Sequence, residues 1–385
     1  MRAAFAIECG SGEGVEPPAG LAKVDPAAFV NAVKIHRVSQ RLYEHAAALD
    51  LTSDIADAER NLARSETLKA MTLAQETARA WSALAQAGIP AVVLKGVALS
   101  VQTTGRLTSR GDGDIDLLVA PGDVREALQV LTAAGWRRQM PTELSDEWWP
   151  WYSRVNRETP LPGSRSDVDL HWRITYEPRL LEPTHVILER SVCREIAGEH
   201  VQVLNDDDAL NATCYAYQLD RFSSLRMSLD VARLVRKRTE PCVTMHRQLR
   251  NMVGEAVTVA QQAVGGTTVE QICDLRLIRR SGSNPVRRAF RIAVEAVIED
   301  SAIHKPTTRR STRVFLVPAL LLGSQRSYFF DRLRWASPLR VWARIVLTQQ
   351  DLRPSSDTKP CVRVLLLSLL KSLPFVFDSR RSVNS

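Results

Sequence analysis

The stretch DIDLLV, residues 114–119, constrains the fold of this chain more than any other feature of its sequence. Asp114 and Asp116 stand two positions apart, so on a β-strand both carboxylates leave the same face. Leu117 and Leu118 then anchor the strand in an apolar core. Two carboxylates on one face repel each other unless a positive charge lies between them. We therefore expect the chain to fold around a cation at this strand.

Two further β-like runs, in IPAVVLKG and SDVDLHW, lie on either side of this strand in the sequence. A short small-residue helix follows the first run, and GDVREALQVLTAAGW has helical spacing between Asp123 and Gly135. The resulting order, strand–helix–strand–helix–strand, predicts a small α/β unit of about 110 residues.

The whole chain is predicted to be a mixed α/β (α+β) protein, a small sheet with flanking helices plus N-terminal and C-terminal helical regions. Caps at Ser53 and Asp54 and the stop at Gly88 define a long helix before the sheet. The predicted divisions are a loose tail (1–24), an N-terminal helical region (25–88), an α/β core (89–200), a helical domain (201–300) and a basic C-terminal region (301–385) for which the sequence predicts no definite structure.

The carboxylates indicate a divalent cation, because hard oxygen ligands suit Mg²⁺ and leave positions for substrate phosphates. Two such ions about 4 Å apart would hold an attacking and a leaving oxygen in line, which requires a third acid from a neighbouring strand. Asp169 in SDVDLHW is the candidate, with Asp167 on the same face as a competitor. By spacing alone, either pair, 114/116 or 167/169, could be the principal metal pair. The first is preferred because it follows a glycine turn and has Arg110 four residues upstream.

Lys95 and Gly96 predict a phosphate site. A strand that ends there and runs into a helix points free N–H groups at a ligand, and glycine allows a phosphate to approach the backbone. Ser100 is a weaker further donor, and Arg110 could pair with a phosphate in two-pronged fashion. Together with the acids, these residues predict a polyphosphate held with its metals.

Each of these signals has a simpler interpretation when taken alone. A lone D-x-D is often an exposed cap, and a lone K-G is often a turn or a helix stop. His171 shares the predicted face of Asp169 and so could touch the site, but the preferred interpretation is a structural histidine under the sheet. Asp230, inside the helical stretch SLDVARLV, would by itself be a solvated charge. The functional interpretation rests on the acids and the turn occurring together.

The segments GIPAVVLKGVALS, DIDLLV, AAGW and DVDLHWRI, with Arg110 before the second, resemble a known bacterial family. This is the nucleotidyltransferase-like family with the pattern L-K-G…R-x-x-x-D-I-D-L-L-V…D-L-H-W, within the DNA polymerase β-type nucleotidyltransferase superfamily. The resemblance covers residues 89–174 well. It extends more loosely to IHRVSQRLY and to the helix that carries Asp230.

The resemblance implies a nucleotidyltransferase that moves a nucleoside monophosphate from an NTP, with ATP expected, to an acceptor and releases pyrophosphate with Mg²⁺. Asp114, Asp116 and Asp169 would be the metal ligands and catalytic acids, with Asp169 activating the attacking hydroxyl. Gly96 would belong to the nucleotide-binding turn. The superfamily more usually has Gly-Ser or Gly-Gly there, so Val97 removes one phosphate donor. Some family members are encoded beside genes for modified peptides, so the resemblance does not carry over one acceptor. The acceptor hypothesised for this chain is a small molecule, a peptide or a protein, with peptide modification as one setting.

The net charge of +8 allows polyanionic partners and keeps two alternatives open. One is an RNA-directed, toxin-type transferase that would contact RNA through Arg279, Arg280, Arg287, Arg288 and Arg291. The other is a non-catalytic nucleotide-binding or scaffold protein, and a partner protein could bind the C-terminal region.

Six dispersed cysteines without a C-x-x-C pair fit a reducing cytoplasm. The apolar C-terminal run VRVLLLSLLKSLPFVF is broken by Lys371 and Pro374, which favours a core helix over stable membrane insertion.

Overall fold

A computed structural model of the protein describes residues 25–46, 51–111, 113–137, 153, 156–175, 180–220, 224–237 and 247–264. The helices of these residues are α1 Pro26–His36, α2 Ser39–Glu44, α3 Ser53–Gln86, α4 Val97–Thr104, α5 Val124–Ala133, α6 Thr184–Glu189, α7 Asp206–Leu219, α8 Leu225–Lys237 and α9 Arg247–Val264. The strands are β1 Ala91–Val93, β2 Asp114–Val119, β3 Glu158–Leu161, β4 Asp167–His171, β5 Val192–Ile196 and β6 Glu199–Val203.

The strands form one mixed sheet in the order β3-β4-β2-β1-β6-β5. Its centre is the parallel pair β2/β4 and the antiparallel pair β1/β2. The predicted mixed α/β class is confirmed, and the three predicted strands are β1, β2 and β4.

The alternation of DIDLLV separates two apolar layers across the sheet. Ile115 and Leu117 of β2 pack on one side with α3 and α5. Leu118 packs on the other side with α7, α8 and α9. Asp114 and Asp116 have the same parity as Leu118, so the acids lie on the sheet face that the later helices cover.

The hairpin β5–β6 was missed in the sequence, although REIAGEHVQV contains its signal. Ala197 and Gly198 connect the strands, and both have positive φ, 52° and 87°. Two such residues form the kind of two-residue turn whose twist matches a hairpin. Edge strand β3 and helix α6 were also absent from the prediction.

The N-terminal helical prediction needs one correction. The segment PAAFVNAVKIHRVSQRLYEHAAAL, residues 26–49, was predicted as one helical stretch, but α1 ends at His36 and Arg37 takes a left-handed conformation with φ 51° and ψ 51°. The chain turns there and continues as α2. Helix α3 begins at Ser53 and ends two residues before the predicted stop at Gly88, and its N-cap is Thr52 rather than Ser53 or Asp54.

Among the described helices, none combines the length and apolar character needed to cross a bilayer. The predicted C-terminal region (301–385), with the apolar run near residue 370, lies outside the described residues. The five arginines proposed for RNA, in the preceding predicted domain, also lie outside them.

Candidate active site

The predicted acids lie side by side on the paired strands β2 and β4. The parallel register sets Asp116 opposite Asp169, Asp114 opposite Asp167, and Leu118 opposite His171. Side chains that are opposite in register share a face, so these residues form one row. Ligand atoms of Asp116, Asp169 and His171 lie within 4.8 Å of one another. Two predicted acids therefore meet, together with a histidine.

Asp116 is the buried centre of this row. Its side chain is 1% exposed, and its Oδ1 accepts a hydrogen bond from Lys95 Nζ at 3.0 Å. His171 Nε2 lies 2.9 Å from the same oxygen. Burial alone would raise the pKa of Asp116, but the Lys95 ammonium and the His171 hydrogen bond hold it well below its usual range. Asp116 is therefore a carboxylate at neutral pH.

Lys95 reaches the acids from the turn after β1. The backbone N–H of Leu94 donates to Asp116 O at 3.0 Å, which fixes the start of the turn against β2. Lys95 Nζ also lies 3.7 Å from Asp114 Oδ2. Burial opposes its charge, but Asp116 and then Asp114 outweigh it, so the pKa of Lys95 is raised. Gly96 has φ 70° and ψ −130°, a conformation open mainly to glycine, and it begins α4 beside the acids.

Asp169 is held in a different electrostatic state. Burial raises its pKa from the ordinary value of 3.8 to about 6, and the negative charges of Asp116, Glu158 and Asp114 act in the same direction, while His171 opposes them. One carboxylate that is firmly ionised thus adjoins another that titrates close to neutrality.

His171 lies in the site, which the sequence left open as the second of two interpretations. It is 2% exposed and contacts Asp116 directly. Its Nδ1 lies 3.1 Å from Glu158 Oε2, close enough for an ion pair although the geometry of a hydrogen bond is not met. Glu158 was not predicted at all, because it comes from the unrecognised strand β3.

Arg110 and Ser100 are not placed to bind phosphate directly. The Arg110 side chain is 2% exposed, and its Nε donates to Asp230 Oδ2 at 2.8 Å. Asp230, which was interpreted as a solvated charge, is itself 1% exposed on α8. Ser100 is fully buried, and its hydroxyl donates to Arg106 O at 2.7 Å. Both side chains instead fix the segment that leads into β2.

The donor set fits a divalent cation. Asp116 Oδ2 is buried and has no hydrogen-bond partner within the described structure, so one carboxylate oxygen is left for a ligand. Asp169 and His171 supply further donor atoms nearby. Asp114 stands at the rim with its side chain 41% exposed. Carboxylate oxygens suit Mg²⁺, and an added imidazole also suits Mn²⁺.

A comparison with known protein families agrees with this geometry. Residues 22–249, more than half of the chain, match a family described as uncharacterised nucleotidyltransferases. The protein belongs to this nucleotidyltransferase family. The resemblance seen in the sequence is therefore confirmed. No curated protein sequence matches the chain at a significant level.

The family match covers more than the sheet. It begins before α1 and ends at the start of α9, so the matched region includes the N-terminal helices and also α7 and α8 on the acidic face.

Proposed function

We propose that this protein transfers a nucleoside monophosphate from an NTP to an acceptor hydroxyl and releases pyrophosphate, using Mg²⁺ or Mn²⁺. The observation that carries the proposal is the pairing of Asp116 with Asp169, in register on adjacent parallel strands, beside the Lys95–Gly96 turn. The proposed donor is ATP, and the proposed location of the reaction is the cytoplasm. The proposed acceptor is a small molecule, a peptide or a protein.

Asp114, Asp116 and Asp169 would hold the divalent ions, with His171 beside Asp116. Bound there, the metal would supply Lewis-acid stabilisation of the charge that develops on the phosphate oxygens. Asp116 suits this role because it stays ionised and keeps one buried oxygen unpaired.

The turn after β1 would hold the triphosphate. Lys95 contributes a charge that moves from Asp116 to a phosphate, and Gly96 lets the phosphate approach the first N–H groups of α4, which have no partners within the helix.

The bond changes in the proposed reaction balance without an additional reactant. The acceptor hydroxyl oxygen attacks the α-phosphorus, and its proton passes to Asp169. The α–β phosphoanhydride bond breaks, and pyrophosphate leaves with the bonding electrons. A raised pKa supports Asp169 as the proton acceptor, because a base is most effective when its pKa lies near the working pH.

The test is incubation of the full chain with each α-labelled NTP and Mg²⁺ or Mn²⁺, with a cell extract as the acceptor source. Pyrophosphate release and label transfer are measured. Asp116→Asn should lower the rate about 10³-fold or more, because a metal ligand contributes several kcal/mol of charge stabilisation.

Asp167→Asn is the matched control, since Asp167 occupies the same row but is exposed and accepts a hydrogen bond from the Gly163 N–H at 3.1 Å. This variant should keep at least half of the rate. Full turnover by Asp116→Asn would refute the proposal. An equal loss in both variants would refute the choice of the 114/116 pair. Tight NTP binding without transfer to any acceptor would favour a nucleotide-binding scaffold.

A further inference from the structure

We propose that Arg37, which is not among the predicted site residues, binds the triphosphate at the mouth of the active site. The inference rests on the proposed function and assigns to Arg37 the phosphate contact that Arg110 is too buried to make. The N-terminal helices would then supply part of the nucleotide site.

The backbone at Arg37 is unusual for a residue with a side chain. It has φ 51° and ψ 51° at the end of α1, and its N–H bonds to carbonyls of the last turn. A residue other than glycine costs about 1–2 kcal/mol in this left-handed region. Strained positions of this kind are concentrated at ligand sites, although the strain alone does not define one.

The turn at Arg37 packs against the segment that leads into β2. A Cβ atom added to Gly111 would lie 3.3 Å from Arg37 Cβ and 3.4 Å from Arg37 O, so the two segments pack tightly against each other. A Cβ on Gly113 would lie 3.8 Å from Arg37 Nη1. Since Gly113 directly precedes Asp114, the guanidinium lies beside the backbone that carries the first predicted metal ligand.

Other arginines near this segment are already engaged. Arg106 Nη1 lies 3.1 Å from Glu44 Oε1, and Arg110 pairs with Asp230. Arg226 donates to the Gly111 carbonyl. These contacts hold the segment between α2 and α8, so that its position relative to the acids is fixed.

The Arg37 side chain is exposed and has no hydrogen bond or ion pair to any residue that the structure describes. It makes no ion pair with Asp114, the acid that follows Gly113 in the sequence, whereas Lys95 does. A guanidinium beside a site for a polyphosphate can bind two phosphate oxygens at once through its parallel N–H groups.

The charge balance favours the triphosphate as the ligand. The Lys95 ammonium is already paired with Asp116. A triphosphate that binds with its metal brings negative charge to a site whose own acids are also negative. This added charge needs a further cation. Arg37 supplies a positive charge beside Gly113, the residue that precedes Asp114 at the start of β2.

The experiment measures equilibrium binding of α,β-methylene ATP with Mg²⁺, and separately of inorganic tripolyphosphate and AMP, to the full-length chain. The variants are Arg37→Gln and Arg37→Lys. Arg64→Gln is the matched control, because Arg64 is also exposed and lies on α3 two positions before Glu66, the residue that faces Gly111. At about 100° per residue, Arg64 leaves the helix on nearly the opposite side.

Arg37→Gln should weaken binding of the ATP analogue and of tripolyphosphate about 10- to 100-fold, the loss expected for a charge-assisted hydrogen-bonding pair. AMP binding should change by less than about threefold if the contact is to the phosphates beyond the first. Arg37→Lys should recover part of the loss, and Arg64→Gln should bind as the wild type does. Mn²⁺ binding measured without nucleotide should stay unchanged in Arg37→Gln, because Arg37 has no metal-ligating role.

Unchanged ATP-analogue binding in Arg37→Gln would overturn the role of Arg37 and leave the proposed transferase standing. A parallel loss of Mn²⁺ binding would also overturn it, since the residue would then be supporting the fold. If the wild type binds neither ATP analogue nor tripolyphosphate, both this inference and the proposed function fall.

Discussion

Replacing Asp169 by asparagine should make the metal-free protein more stable while abolishing its proposed activity. Asp169 lies beside Asp116, which remains ionised, and burial and neighbouring negative charges raise the pKa of Asp169 to about 6. At pH 7.5 the folded protein must keep both carboxylates charged without a metal. Asparagine removes one of these charges and keeps nearly the same shape.

The magnitude follows from the pKa shift. A change from 3.8 to about 6 is about 2 pKa units, and each unit corresponds to about 1.4 kcal/mol. The upper limit is about 3 kcal/mol, and partial exposure of Asp169 reduces the expected gain to about 1–3 kcal/mol through solvent screening.

The sign is set by the direction of that shift. The folded protein binds the Asp169 proton more tightly than the unfolded chain does, so the contribution of Asp169 to stability is greatest below about pH 4 and is lost as pH rises through about 6. The gain in the free energy of unfolding of Asp169→Asn over the wild type should therefore be complete at pH 7.5 and fall to about half at pH 5.

Urea unfolding in EDTA at pH 7.5 and pH 5 measures this difference. The exposed neighbour Asp167→Asn is the control and should not be stabilised. Saturating Mn²⁺ should make the wild type more stable than Asp169→Asn, because the ion binds the wild-type acids and stabilises only the folded protein that retains them. A less stable Asp169→Asn variant at pH 7.5, or a difference independent of pH, would refute the electrostatic reasoning.

Three other perturbations test contacts around the site. Asp230→Ala should lower the free energy of unfolding in urea by about 3–5 kcal/mol, because it leaves the Arg110 charge buried without the Asp230 carboxylate. The double variant Arg110→Met, Asp230→Leu should lose clearly less stability. Equal losses in the two variants would refute this account. Lys95→Met should tighten Mn²⁺ binding in the absence of nucleotide by about tenfold, because the Lys95 ammonium competes with the metal for Asp116. The same variant should slow transfer, because the proposed phosphate contact of Lys95 is lost. Weaker Mn²⁺ binding would contradict this competition. Gly163→Ala should lower stability by about 1–3 kcal/mol or more in thermal unfolding, because the new Cβ would lie 2.2 Å from Ser166 O. An unchanged melting temperature would show that the backbone of this turn can shift to accommodate the Cβ.

The sequence by itself determined the features that depend on local pattern. Alternation in DIDLLV assigned the acids to one face and the leucines to the core, and the Lys95–Gly96 pair marked the turn at which a strand gives way to a helix. Asp169 was found because its strand repeats the same period of two. These inferences need only the geometry of one element, which neighbouring residues in the chain define.

The tertiary structure alone decided which side chains remain available at the site. Packing of α8 against the segment before β2 buries Arg110 with Asp230, and pairing of β3 with β4 brings Glu158 to His171. The turn between α1 and α2 brings Arg37 beside Gly113 across more than 70 residues of sequence. Contacts between distant segments depend on how whole elements pack, and a local pattern of residues contains no information about which partner will bury or expose a given charge.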